Sequence, residues 1–240
     1  MAAPKKITPC PIIESVVEIR FDSAIPAEAI FGVVYNAFND IFPNKPINLP
    51  ILQLPEQIRN SDPNLQYKPH YRLSNDTFLF QIGPKSISLI NKNEYVGWNI
   101  LSPKTKECFQ KIKAIQIIKT TKRFGLRYMN FFEDLEIYEK INLDLLLNEK
   151  PLESDKIFIK TSLKSGDFTR DLKVSNNAKI ERNGNEKKGS IIDIDVYLEE
   201  NGNTIIDQFD SILENAHTKE KELFFSLLKE DFLKEFNPEY

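Results

Sequence analysis

The residues best placed to do chemistry in this chain are arginines and carboxylates carried on two strand-like stretches. One of them, residues 122–133, reads KRFGLRYMNFFE, so that Phe124, Leu126, Tyr128 and Phe132 alternate with Arg123, Gly125 and Arg127. The other, residues 12–21, reads IIESVVEIRF, with Ile13, Val17, Ile19 and Phe21 on one parity and Glu14, Glu18 and Arg20 on the other. Such period-2 alternation marks strands with one apolar and one polar face. Set edge to edge, the two strands bring Glu14 and Glu18 beside Arg123 and Arg127, with Arg72 as a further member. A guanidinium forms paired bonds to a carboxylate or phosphate, so the cluster is a candidate site for a small anionic ligand, with Tyr128 and Asn130 of the same strand as further members. The competing reading is structural, with the charges paired to one another across the sheet face.

Other chemistry is sparse. His70 and His217 are the only histidines. His217 has Glu220 three residues on, a spacing that can hold a metal, but no second His or Cys stands at a matching position, and a helix-packing histidine is the plainer reading. Asp193 and Asp195 could hold Mg²⁺ with a third acid, although alternating acids on a strand usually form its solvated face. Glycine-rich phosphate loops, a nucleophile elbow and zinc or Cys-His signatures are absent, so no metal or cofactor is expected and the enzyme case is weak. An enzyme acting on a nucleotide or phosphate ester, with Arg123 and Arg127 as anion clamps, is the third-ranked reading.

A net charge of −3 over 240 residues excludes a generally cationic nucleic-acid binder but leaves local patches open. One such patch runs through Lys104, Lys106, Lys111, Lys113, Lys119 and Lys122, with Phe109 and Phe124 nearby, and supports an alternative reading as a nucleic-acid-binding accessory protein. Cys10 and Cys108 are too few for a disulfide framework and lack metal spacing, which favours a reducing compartment. Neither a signal peptide nor an apolar run of membrane-spanning length is visible, so the expected location is cytoplasmic, with no membrane partner.

The elements that must carry these residues follow from punctuation and periodicity. After the first strand, Pro26 opens a helix whose apolar positions are Ile30, Val33, Val34, Ala37 and Phe38. Residues 42–70 are proline-rich and should lie extended over the surface, as a covering segment, a ligand lid or a partner-binding arm. Turns at Asn75-Asp76 and Gly83-Pro84 separate three strands of a meander, and Ser102-Pro103 starts a second helix leading into residues 122–133. Strand, helix, meander, helix, strand is the ferredoxin-like split βαβ order with one added strand, which makes the first and last strands neighbours.

The second half repeats the class of structure: a short helix over 142–147, a hairpin turning at 165–167, a mobile polar tongue over 176–189, a strand through Ile192, Ile194 and Val196, and one long helix from Thr204 to about Phe236. Thr204 with Asp207 resembles a capping box. The helix stripe either completes the protein's own core or forms a symmetric homodimer.

Four motifs carry a resemblance: PIIESVVEIRF at 11–21, QIGP at 81–84, GLRYMN at 125–130, and Ala216-His217 followed by the LFFSLL run at 223–228. Together they resemble a sporadically distributed bacterial family of proteins of this size with no established activity. The resemblance implies a bacterial or archaeal source, a single architecture, and functional weight on Glu14, Arg127, Tyr128, Asn130 and His217. Patchy distribution of that kind is common among mobile and defence-associated genes, which implies an accessory role in phage defence.

The chain therefore reads as an α+β protein of two consecutive ferredoxin-like halves, 1–135 with the insertion at 42–70 and 136–240 as meander plus helix, packed as one unit. Its leading function is a non-catalytic interaction or ligand-binding module with a protein partner or a small anionic ligand.

Overall fold

The computed structural model describes residues 3–92, 94–152, 156–182 and 184–240. Its centre is the expected strand pair. β1 (Ile12–Ser23) runs antiparallel to β6 (Ile118–Glu133), with Val17 opposite Leu126, Ile19 opposite Phe124 and Arg20 opposite Arg123. On the other side of β1 lies β5 (Ser86–Lys92), last strand of the meander formed with β3 (Tyr71–Ser74) and β4 (Phe78–Ile82). The turn before β4 closes as its sequence requires, because Asn75 Oδ1 accepts from the amides of Thr77 and Phe78 at 3.0 and 2.8 Å. A two-residue strand, β2 (Ile47–Asn48), adds an edge to β3.

β5 and β6 are both antiparallel to β1 and therefore parallel to each other. The crossover between them is α3 (Trp98–Ala114), so one split βαβ unit exists, wrapped around β1. No second unit of that kind forms among the described residues. β9 (Phe158–Ser165), β10 (Phe168–Arg182) and β11 (Asn185–Gly202) make a plain antiparallel meander, joined to β6 through β11. The result is one nine-stranded sheet in the order β2-β3-β4-β5-β1-β6-β11-β10-β9. Beside it lies a small ribbon, β7 (Leu146–Leu147) with β8 (Lys150–Pro151), where a helix over 142–147 is expected from sequence.

Helices cover one face of the sheet. α1 (Ala27–Phe38) sets Phe38 on Phe80, with ring centroids 4.6 Å apart. α3 sets Phe109 against Phe209 of α5 (Phe209–Leu227) at 4.5 Å, and Phe209 meets Phe124 of β6 at 5.9 Å. The apolar stripe of α5, including Leu213, Ala216, Leu223 and Leu227, is buried in this core. Burying such residues is worth roughly 1.5–3 kcal/mol each for the large ones and supplies the main driving force for this layer.

Five local expectations differ from the structure. The polar tongue at 176–189 is not a mobile loop: its described residues extend the β10–β11 hairpin, with Lys179 bonded to Glu186 at 2.8 Å, while Asn183 lies outside the described residues. The proline-rich segment is not wholly extended, since it carries a 3₁₀ turn at Pro50–Gln53 and the short helix α2 (Glu56–Ser61). The terminal helix is three pieces, α4 (Thr204–Asp207), α5 and α6 (Glu230–Lys234). It breaks before Lys229 because Leu228 turns extended to bridge Ile141. Its N-terminus uses Glu200, whose Oε1 accepts from Ile205 N at 2.8 Å, rather than a Thr204-Asp207 box. Finally, α3 begins four residues early, at Trp98 after Gly97 (φ 87°), with Pro103 inside the helix.

Candidate functional site

Strand β6 divides the sequence-derived candidates between two faces. Arg123 and Arg127 point to the face away from the helices, while Tyr128 and Asn130 point to the helix side and are buried. The expected single cluster is therefore two separate groups.

On the outer face both arginines of β6 are paired. Arg127 makes a paired contact with Asp193 (Nε 2.6 Å, Nη2 2.8 Å), and Lys173 shares the same carboxylate at 3.1 Å. Arg123 donates to Asp195 at 2.7 Å and lies 3.4 Å from Glu18, which also holds Arg20 at 2.7 Å. Tyr197 carries the Arg123 guanidinium over its ring at 4.4 Å. Gly125 makes this possible, because a Cβ there would collide with Arg123 Nη1. Burial pushes the Asp195 carboxyl up, and the charge and hydrogen bond of Arg123 oppose it. Arg127 is held charged chiefly by its bond to Asp193, with Glu14 adding attraction. Arg72 does not join the cluster: it sits on β3, four strand steps from β6, about 19 Å away at the usual strand spacing.

The basic segment is also largely paired. Lys104, Lys106, Lys111, Lys113 and Lys122 each lie within 3.1 Å of a carboxylate, namely Glu107, Glu214, Asp40, Asp207 and Asp22. Lys119 is exposed. Asp193 and Asp195 spend their charge on the arginines, and among the described residues no group of three or more His, Cys, Asp or Glu is placed to hold a metal.

The helix side is different. Beneath α5, between β6, the start of α3 and the N-terminal segment, lies a cavity of about 710 Å³. Three of the five positions singled out by the resemblance, Tyr128, Asn130 and His217, line it. The Tyr128 hydroxyl is 3.2 Å from that of Tyr95 and 3.4 Å from His217 Nδ1, a chain of three polar groups. The His217 ring stacks on Trp98, with centroids 3.7 Å apart and planes within 8°. Trp98 is fixed in turn by its Nε1 donating to Glu214 at 3.0 Å, the same carboxylate that accepts from Ser102 and Lys106. Burial pushes Glu214 up, but those three bonds outweigh it and hold it below the usual range.

Two lining groups are buried without such compensation. Glu220, only 5% exposed, has no hydrogen-bond donor within reach among the described residues, and burial pushes its carboxyl up to about 8, with Lys221 opposing. Asn130 donates Nδ2 to Ile192 O at 3.2 Å, and no donor among the described residues reaches its Oδ1. Burial, helped by Lys221, drives His217 down to about 4, and it raises Tyr95 and Tyr128. At neutral pH the interior therefore holds uncharged imidazole, two phenols and a carboxyl that is mostly protonated. Such a set offers hydrogen-bond donors and acceptors and can develop one negative charge, at Glu220.

Trp98, Tyr95 and Glu220 are absent from the candidate binding residues that sequence patterns supply. Glu220 carries a legible signal: it occupies a position in the stripe 209, 213, 216, 220, 223, 227, which is otherwise apolar. No helix of the described residues is long and apolar enough to cross a membrane. Comparison with protein-family models gives no match to this chain, and comparison with curated proteins gives none either.

Proposed function

We propose that the protein is a small-molecule-binding module whose site is the cavity under α5 rather than the arginine-rich sheet face. The single observation that carries this reading is Glu220, a buried carboxyl with no hydrogen-bond donor among the described residues, at the wall of an aromatic-lined cavity. An unpartnered buried carboxyl costs several kcal/mol, and an apolar residue at that position in the stripe would avoid the cost. A volume of about 710 Å³ falls within the range of pockets for drug-sized ligands. Partial disposition of Trp98, stacked on one ring and anchored through Nε1, gives a rigid wall of the kind that lowers the entropic cost of binding. The nucleic-acid reading ranks below this one, because most of its lysines are already neutralised within the fold.

Native mass spectrometry of the protein purified from a bacterial host tests the proposal. A retained adduct of small-molecule mass, lost on Tyr128→Ala together with a shift in Trp98 emission, is expected. A bare 27.8 kDa species whose Trp98 emission responds to no member of a metabolite library would overturn it.

A further inference from the structure

The charge pattern of the cavity narrows the class of ligand. Resting on the reading of the cavity as a binding site, we infer that its ligand is an organic cation, a protonated amine on an apolar body, with the Glu220 carboxylate as its counter-charge and the rings of Trp98, Tyr95 and Tyr128 as its walls. A neutral apolar ligand gives no use for a carboxyl here, and an anionic ligand would be repelled by it once ionised. Aromatic faces attract cations, more strongly where the pair is desolvated. Asn130 Oδ1 and the two phenol oxygens add acceptors for ammonium N–H groups.

Among the described residues lining the cavity, none hydrogen-bonds or ion-pairs with the Glu220 carboxyl, and only the attraction of Lys221 opposes its burial. From β6 come Tyr128 and Asn130, from the segment before α3 comes Tyr95, from the first residue of α3 comes Trp98, and from the N-terminal segment comes Cys10. Lys5 and Lys6 line the cavity too, yet both are directed at the C-terminal tail: Lys5 Nζ donates to Tyr240 O at 3.0 Å, and Lys6 lies 3.9 Å from Glu239. On α5 itself, His217 is neutral above about pH 4, and Lys221, next in the chain, makes no ion pair with Glu220 among the described residues. A guest ammonium supplies the missing charge.

Near pH 7 the carboxyl of the free protein carries its proton and the amine arrives as an ammonium; on forming the ion pair, the carboxyl proton passes to the buffer. Binding is therefore accompanied by release of up to one proton per amine, with no bond to carbon made or broken.

Trp98 is the only tryptophan, so intrinsic emission reports on this cavity alone. Phenethylamine, cyclohexylamine and cadaverine are titrated against the matched alcohols 2-phenylethanol, cyclohexanol and 1,5-pentanediol, and against 3-phenylpropionate. Calorimetry at pH 7 in phosphate and in Tris counts protons. At least one amine should bind about tenfold tighter than its alcohol, release a proton, and lose that preference in Glu220→Gln. Alcohols or the carboxylate binding as tightly as the amines, in the unsubstituted protein, would overturn the charge assignment while leaving the binding site in place. Trp98 emission that responds to none of these compounds would count against the amine assignment, and the binding reading falls with it only if the metabolite library is silent too.

Discussion

The two faces of the sheet are built from alternate residues of the same strand, β6, and treat buried polar groups in opposite ways. On the outer face Arg123 and Arg127 each find a carboxylate within 2.7 Å, and Lys173, Glu18, Arg20 and Tyr197 close the network around them. On the helix side, Asn130, three residues beyond Arg127 on the same strand, and Glu220 of α5 keep polar atoms that no described residue satisfies. A completed network holds strands in register; polar atoms left open on a cavity wall are available to a guest. Richness in charge is a poor guide to a site in this fold, and incompleteness is a better one.

Breaking the outer network should give the largest effect. Asp193→Ala strands both Arg127 and Lys173, each about one-third exposed, and should lower the unfolding free energy by roughly 2–3 kcal/mol in urea titrations. Amine binding in the cavity should be unchanged, which separates the two faces. A smaller loss, about 1 kcal/mol, is expected for Gly125→Ala, because the new Cβ displaces the end of the Arg123 side chain from Asp195 without touching backbone. Smallest is Lys113→Ala. Its ion pair with Asp207 is more than half exposed on both sides, so thermal unfolding should move by less than the equivalent of about 0.5 kcal/mol. A large effect there would show that the basic segment has a role that its pairing does not explain.

Much of the frame was legible in the sequence because period-2 alternation and turn residues are local signals. The β1–β6 pairing, the meander turns at Asn75 and Gly83, and the hairpin at Gly166 (φ 62°) all follow from such signals. What was not legible depended on distant contacts. The tongue at 176–189 is polar enough to read as disordered, yet it is held by cross-strand pairing such as Lys179 with Glu186. Neither break in the terminal helix has a Gly or Pro to announce it; one is imposed by Leu228 bridging Ile141 across 87 positions of chain. Tyr128 and Asn130 were readable as strand residues. Their separation from Arg123 and Arg127 was readable too, since odd and even positions face opposite ways, but the cavity was not, because it needs the early start of α3 that brings Trp98 onto His217.

Whether Glu220 is held buried without a hydrogen-bonded partner is read from unfolding free energy against pH in the unsubstituted protein and in Glu220→Gln. A folded-state value of about 8, above the ordinary 4.5, means that the folded protein favours the protonated carboxyl. Its contribution is complete below about pH 4.5 and is lost as pH rises through about 8. His217, lowered to about 4, works in reverse, contributing above about 6.5 and losing that contribution as pH falls through about 4, so the window from 6.5 to 8 isolates the carboxyl. Across that window the unsubstituted protein should lose about 1.5 kcal/mol more than Glu220→Gln. Parallel profiles for the two proteins would contradict the account, since they would mean that Glu220 is already ionised and paired.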